Sequence, residues 1–187
     1  MEKSLVRKTI RERFEALTED KRQSLSKLIV PNVLKLRDIK DAKIVGAFLP
    51  IGKEPDIRPL IKQLMFEGKV VCIPVMSEDG KSFRFASLGP LEALEKTKLG
   101  TYEPVQKNFI EGERIDVFLV PGLAFDRQGV RIGRGLGFYD KFFGDNKTNA
   151  RKIGVAFEIQ LMGFELPVER HDILMDLIVT EKMACLV

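Results

Sequence analysis

What most constrains the fold of this chain is a rhythm of short apolar runs separated by helical segments, which sets in after residue 43. Ile44 to Leu49 and Val70 to Val75 read as strands, with a helix between them near Ile57 to Phe66. Strand, helix, strand in that order predicts a parallel pair, because a parallel connection must cross over a face of the sheet. Val117 to Val120 is apolar at every position, so both of its faces must be covered, as at the centre of a sheet with helices on either side. Ser82 to Ala86, Ile153 to Phe157 and Met175 to Val179 are further strand candidates. A short helix is expected over Gly137 to Phe143, and the segment from Gly100 to Pro104 is read as a loop closing on a proline.

Ahead of this rhythm, Val6, Ile10, Phe14 and Leu17 recur at helical spacing, and Lys3, Arg7 and Arg11 form a separate basic row at i, i+4, i+8. Thr18 followed by Glu19 and Asp20 looks like the start of a second helix, with Leu25, Leu28 and Ile29 turned inward. Pro31 is expected to kink or end it. With 187 residues, 44% of them hydrophobic, the chain can build a sizeable core without disulfides, and one domain over residues 1–187 is expected. Cys72 lies inside an apolar run and Cys185 far from it, a spacing that suits neither a metal nor a disulfide. The opening residues are broken by charge, and no apolar stretch approaches membrane-spanning length, so a cytoplasmic protein without a membrane partner is expected.

Lysine and arginine together number 31 against 27 acids, a net charge of +4 that suits anionic small molecules as well as nucleic acid. Its distribution is more informative: from 127 to 141, Arg127, Arg131, Arg134 and Lys141 stand against Asp140 alone. This cluster falls in the segment Gly129-Val130-Arg131-Ile132-Gly133-Arg134-Gly135-Leu136-Gly137-Phe138-Tyr139-Asp140, which follows the buried strand and opens a helix. A helix start exposes unpaired N–H groups that favour phosphate oxygens. Glycines at 133, 135 and 137 permit positive φ and close approach of a ligand to the main chain, and Arg131 and Arg134 add forked donors. The glycine spacing alone is also compatible with tight turns at a sheet edge. It matches neither the Walker loop nor the dinucleotide G-x-G-x-x-G.

The string Arg131 to Asp140 closely resembles the signature of the 5-formyltetrahydrofolate cyclo-ligases, also called methenyltetrahydrofolate synthetases. The resemblance spans nearly the whole chain: Lys3 and Arg7 match an N-terminal Lys-x-x-x-Arg, Glu54-Pro55-Asp56 an acidic substrate segment, and Glu103-Pro104 a mid-chain pair. Leu166-Pro167, His171-Asp172, Asp176 and Thr180-Glu181 follow in the same order. Leu136 and Phe138 depart from the pattern, and Phe138 lacks the hydroxyl of the usual tyrosine.

The resemblance implies a three-layer α/β/α fold with a mostly parallel mixed sheet, similar to sugar-phosphate isomerases and CoA transferases. It also implies ATP as co-substrate and Mg2+ as cofactor. Lys3, Arg7 and the run Arg131, Ile132, Gly133, Arg134, Gly135, Leu136, Gly137, Phe138 and Tyr139 would bind ATP, with Arg134 and Lys3 acting on the reacting phosphate. Ile51, Glu54, Asp56 and Tyr139 would line the folate side, the choice between the two acids staying open. Asp140 and Asp176 would hold magnesium. The lone His171 reads as a surface or capping residue. A monomer is expected.

Two other classes compete. A sugar-phosphate isomerase or CoA-transferase relative would use the glycine loop without ATP. A basic nucleic-acid-binding module is suggested by the net charge and first helix, but no aromatic residues interleave the basic ones and no such motif is present.

Overall fold

The computed structural model describes residues 2–97, 101–146, 148–182 and 184–186. The chain opens with α1 (Lys3–Glu15), whose Val6, Ile10 and Phe14 are buried, and α2 (Glu19–Leu34), where Thr18 accepts the Lys21 N–H at 3.3 Å. Of the two outcomes expected at Pro31, a kink or an end, the end is corrected: the helix runs through it to Leu34. A proline removes a single main-chain donor, and burial of Ile29 and Val33 on either side outweighs that loss. A short α3 (Arg37–Asp41) then leads into the alternation read from the sequence.

That alternation comprises β1 (Ile44–Gly46), α4 (Arg58–Phe66), β2 (Val70–Met76) and β3 (Phe83–Ser87). A hairpin of β4 (Leu94–Lys96) and β5 (Tyr102–Pro104) follows, then β6 (Phe109–Ile110), β7 (Val117–Val120), and a second hairpin of β8 (Ala124–Phe125) and β9 (Arg131–Ile132). The chain continues through α5 (Phe138–Asp145), β10 (Arg151–Val155), β11 (Leu177–Val179) and β12 (Ala184–Leu186). The expected loop at 100–104 is corrected over its described part, because Tyr102–Pro104 pairs with Leu94–Lys96; Gly100 lies outside the described residues. Three strands, β3, β10 and β11, start elsewhere than their apolar runs suggested. In β10, Arg151 and Lys152 pair with Val117 and Phe118 at the sheet's end, while the apolar Ala156 and Phe157 belong to the segment beyond it.

The main sheet has eight strands in the order β12-β11-β10-β7-β1-β2-β3-β6. Its five central strands are parallel, and β12, β3 and β6 add antiparallel pairings at the two edges. This is the mostly parallel mixed sheet the resemblance implied. Alternation along β7 divides its side chains: Val117 and Leu119 pack with α1, α2, α3 and α4, whereas Phe118 and Val120 pack with α5. One face is largely aliphatic. The other is aromatic, with Phe83 and Phe142 stacked at 5.1 Å and Phe118 edge-on to Phe143 at 5.0 Å. Three layers result.

Phe125, at the end of β8, lies in this aromatic layer over two glycines. A Cβ on Gly122 or on Gly154 would come within 2.6 Å of its ring, so both positions require glycine for this packing. No described helix is long and apolar enough to cross a membrane.

The strand order fixes where a ligand can sit. From β1 the chain winds outward to β2 on one side, while β7, β10 and β11 wind outward on the other, so the winding direction reverses between β1 and β7. Open parallel sheets bind ligands in the crevice outside the carboxyl ends of strands at such a reversal.

Candidate active site

Two loops leave the carboxyl ends of β1 and β7. The first carries Ile51 and Glu54. Glu54 is only 6% exposed, and its carboxylate accepts the Ile51 N–H at 2.9 Å, folding the loop back on itself. The second loop is held by two buried polar side chains. Gln160 donates to the carbonyls of Gly122 and Leu123 at 2.7 and 3.2 Å, and Asp126 accepts the N–H groups of Gln128, Val130 and Leu166. These bonds close the β8–β9 hairpin and deliver Arg131 to the crevice.

Gly135 (φ +110) and Gly137 (φ +65) carry the chain from β9 into α5, Gly137 occupying the residue before the helix. Only glycine adopts this backbone without strain. The turn leaves the first N–H groups of α5 without partners inside the helix, the arrangement that anion-binding helix starts use. Arg131 Nη2 donates to Asp140 Oδ2 at 2.8 Å, and the Ile173 N–H donates to Asp140 Oδ1 at 3.2 Å. The Arg131 guanidinium also lies 5.5 Å from the centre of the Tyr139 ring. Arg131 Nε and the Tyr139 hydroxyl are both buried with no hydrogen-bond partner among the described residues. Burial, and next the negative charge of Glu54, push the Tyr139 hydroxyl well above its ordinary range against the pull of Arg131.

Arg134 joins the two loops. Its Nε and Nη2 donate to Glu54 Oε1 at 3.1 and 2.8 Å, and Nη2 also donates to the Ile51 carbonyl at 2.7 Å. From the far end of the sequence, Arg7 Nε donates to the Gly133 carbonyl at 3.0 Å. Lys3 Nζ donates to both oxygens of Asp172, at 2.8 and 2.6 Å. Burial works against the Asp172 charge, but hydrogen bonds from Lys3 and the Glu169 N–H hold its pKa below the ordinary value.

The structure thus gathers Arg7, Arg131 to Asp140, Ile51 and Glu54 in one crevice, and α1 brings Lys3 to the Asp172 segment beside it. Within the loop the roles differ: the Ile132 side chain is buried in the aliphatic core, Phe138 packs against the aromatic one, and Leu136 is 72% exposed. Ile132 can therefore meet a ligand only through its main chain.

Two expected site residues are engaged by neighbouring cations. Asp56 accepts the Arg58 N–H and both arms of its guanidinium, closing the start of α4, so Glu54 is the acid that faces the crevice. Asp176 accepts the Lys152 N–H at 2.7 Å and pairs with Lys152 Nζ at 3.0 Å. That contact lies at the amino-terminal ends of β10 and β11, the edge opposite the crevice, and its reason is local: the carboxylate closes the strand ends. Among the described residues Asp176 is thus engaged by Lys152, while Asp140 accepts from Arg131 and from the Ile173 N–H. His171 is exposed beside Glu169, as read from the sequence. Asp172, Asp126 and Gln160 escaped sequence reasoning, because a lone acid or amide has no periodicity and Asp172 meets Lys3 across 169 residues.

Fold and site together define a class: a three-layer α/β protein whose crevice at a strand reversal sets cations and glycines around a helix start, as anionic ligands require. Within that class the chain belongs to the 5-formyltetrahydrofolate cyclo-ligase family, whose sequence model matches residues 1–181, and it is an enzyme of that type. The 5-formyltetrahydrofolate cyclo-ligase of Escherichia coli K12 is 32% identical over 175 residues, covering 91% of this chain and 96% of that protein. The mouse protein of the same name is 26% identical over 187 residues, covering 94% and 92%. The NMR structure of Aquifex aeolicus 5,10-methenyltetrahydrofolate synthetase matches with a TM-score of 0.86 at 32% identity, covering 100% of this chain and 93% of that one. A 5,10-methenyltetrahydrofolate synthetase from Mycoplasma pneumoniae matches at 0.79 with 22% identity, covering 97% and 99%, and bears on the fold alone.

Proposed function

We propose that the chain closes the one-carbon bridge of 5-formyltetrahydrofolate to give 5,10-methenyltetrahydrofolate, converting ATP to ADP and phosphate. In this reading the formyl oxygen attacks the γ-phosphorus, and the bond to the β-phosphate oxygen breaks. N10 then attacks the activated carbon, loses its proton, and phosphate leaves with the former formyl oxygen. Phosphoryl transfer asks the protein for positioning and charge neutralisation rather than for a nucleophile. The observation that carries the reading is Arg134, whose fork reaches from the glycine loop across the crevice to Glu54 and the Ile51 carbonyl.

The residues fit a magnesium-bound nucleotide. The buried, unpartnered Arg131 Nε and Tyr139 hydroxyl mark a place where polar groups await a partner, and glycines 133, 135 and 137 leave the main chain bare. Lys3 and Arg7 would meet the phosphates, Arg131 would be held in aim by Asp140, and Arg134 would follow the γ-phosphoryl group. Ile51 and Glu54 would receive the pterin, Glu54 accepting from its N–H groups, with Tyr139 between the two subsites. Asp140 would hold magnesium through water or directly, the ion supplying neutralisation of phosphate charge.

Purified protein is expected to form the methenyl product, followed by its absorbance, only with both ATP and magnesium present, and ADP should accumulate in step. Turnover without nucleotide, or ATP hydrolysis uncoupled from folate, would overturn the reading. A magnesium titration of activity adds a second test. Asp140→Asn should shift the half-activating concentration upward about tenfold or more, since a hard cation loses an anionic ligand. Asp176→Asn should leave that concentration at the wild-type value.

A further inference from the structure

Arg22 is a buried cation on α2, 8% exposed, in a helix whose other inward residues include Ile29 and Val33. Buried charge is costly unless it is paired, and an apolar side chain would fill such a place at equal or lower cost. The contacts of Arg22 show what an apolar residue would lack. Nε donates to Glu19 Oε2 at 2.8 Å and Nη2 to Glu19 Oε1, while Nη1 reaches out of the helix to the main-chain carbonyl of Glu54 at 3.2 Å. One turn later Ser26 accepts the Asp56 N–H at 2.9 Å and donates to the Arg22 carbonyl at 2.7 Å.

These contacts grip both ends of Glu54-Pro55-Asp56, whose middle residue has no N–H to give. The Glu54 N–H is turned toward the Ile51 carbonyl at 3.4 Å. Hence the main chain at Glu54 is set from outside the crevice by α2, and the carboxylate is set from inside by Ile51 and Arg134. We infer that Arg22, supported by Ser26, is a positioning residue for the folate subsite: it places the Glu54 carboxylate without touching substrate. This inference rests on the proposed function, which gives Glu54 to the pterin. Lysine cannot replace the arginine, because a single ammonium cannot both face the Glu19 carboxylate in a fork and reach the carbonyl.

The test compares the two substrates in steady-state kinetics. Arg22→Lys should raise KM for 5-formyltetrahydrofolate about tenfold while KM for ATP stays within about twofold, the pattern of lost binding at one subsite. Ser26→Ala, which spares the ion pair, should move the folate KM in the same direction and leave the ATP KM unmoved. In a Glu54→Gln background, Arg22→Lys should add less than about twofold, because the group it places has lost its charge. Equal changes in both KM values, an unchanged folate KM in the two single variants, or full additivity with Glu54→Gln would each reduce Arg22 to a scaffold residue and overturn the inference. Failure of the wild-type enzyme to turn over folate would instead overturn the proposed function, and is read before any variant.

Discussion

Arg134→Lys is expected to lower kcat about ten- to a thousand-fold, roughly 1.4 to 4 kcal/mol, with nucleotide affinity falling less. Arg134 spans the crevice because its planar fork has donors in two directions: Nε and Nη2 meet Glu54 Oε1, and Nη2 also meets the Ile51 carbonyl. A lysine ammonium keeps the charge and loses this geometry. In the proposed reaction, charge would redistribute over the γ-phosphoryl oxygens as the formyl oxygen attacks, and a fixed forked cation would stabilise that arrangement more than resting ATP. The side chain is 47% exposed, so a residue acting only as surface charge would change stability by no more than about 0.5 kcal/mol and leave turnover alone. Measured kcat and nucleotide affinity for wild type and variant separate the two cases. Near-wild-type turnover would take Arg134 out of the reaction.

The largest loss of stability is expected at Phe125. Its ring is fully buried between Gly122 and Gly154, two walls that have no side chain to extend into the space that truncation would leave. Phe125→Ala should therefore cost about 3–5 kcal/mol in chemical denaturation, near the top of the range for core truncations. The same ring abuts Gly122, whose carbonyl is held by Gln160, so the variant should lose activity at temperatures where wild type is still folded. A cost below about 1 kcal/mol would show that the surroundings collapse onto the gap.

Much of this architecture was legible because burial imposes patterns. Val117 to Val120 announced a central strand by being apolar throughout, and the crossing from β1 through α4 to β2 followed from the change of period. Strands of two or three residues, such as β6 or β9, carry too few positions for any pattern to emerge. At the site, the glycines and arginines of the loop were readable because helix starts and phosphate chemistry need those residue types. The choice between Glu54 and Asp56 was not, since two acids around a proline look alike until Arg58 takes one of them. Asp176 is a related case: position in a motif does not say which end of a strand a side chain closes, and only the pairing of Asp176 with Lys152 does. Arg22 carried no signal of its own in the sequence, because its bond to the Glu54 carbonyl exists only in the fold.

The bond between Lys3 and Asp172 has a bearing on how the enzyme comes into being. Its partners stand 169 residues apart, and Arg7 likewise waits for Gly133. A ribosome delivers α1 first, and that helix must remain without its electrostatic partners while the parallel strands are still being made. The nascent chain cannot hold this arrangement of cations until the segment around residue 172 has emerged, so the crevice is completed only when that segment returns to α1. Contacts of such long sequence separation slow folding, and here they also make the geometry of the crevice wait on the segment around residue 172.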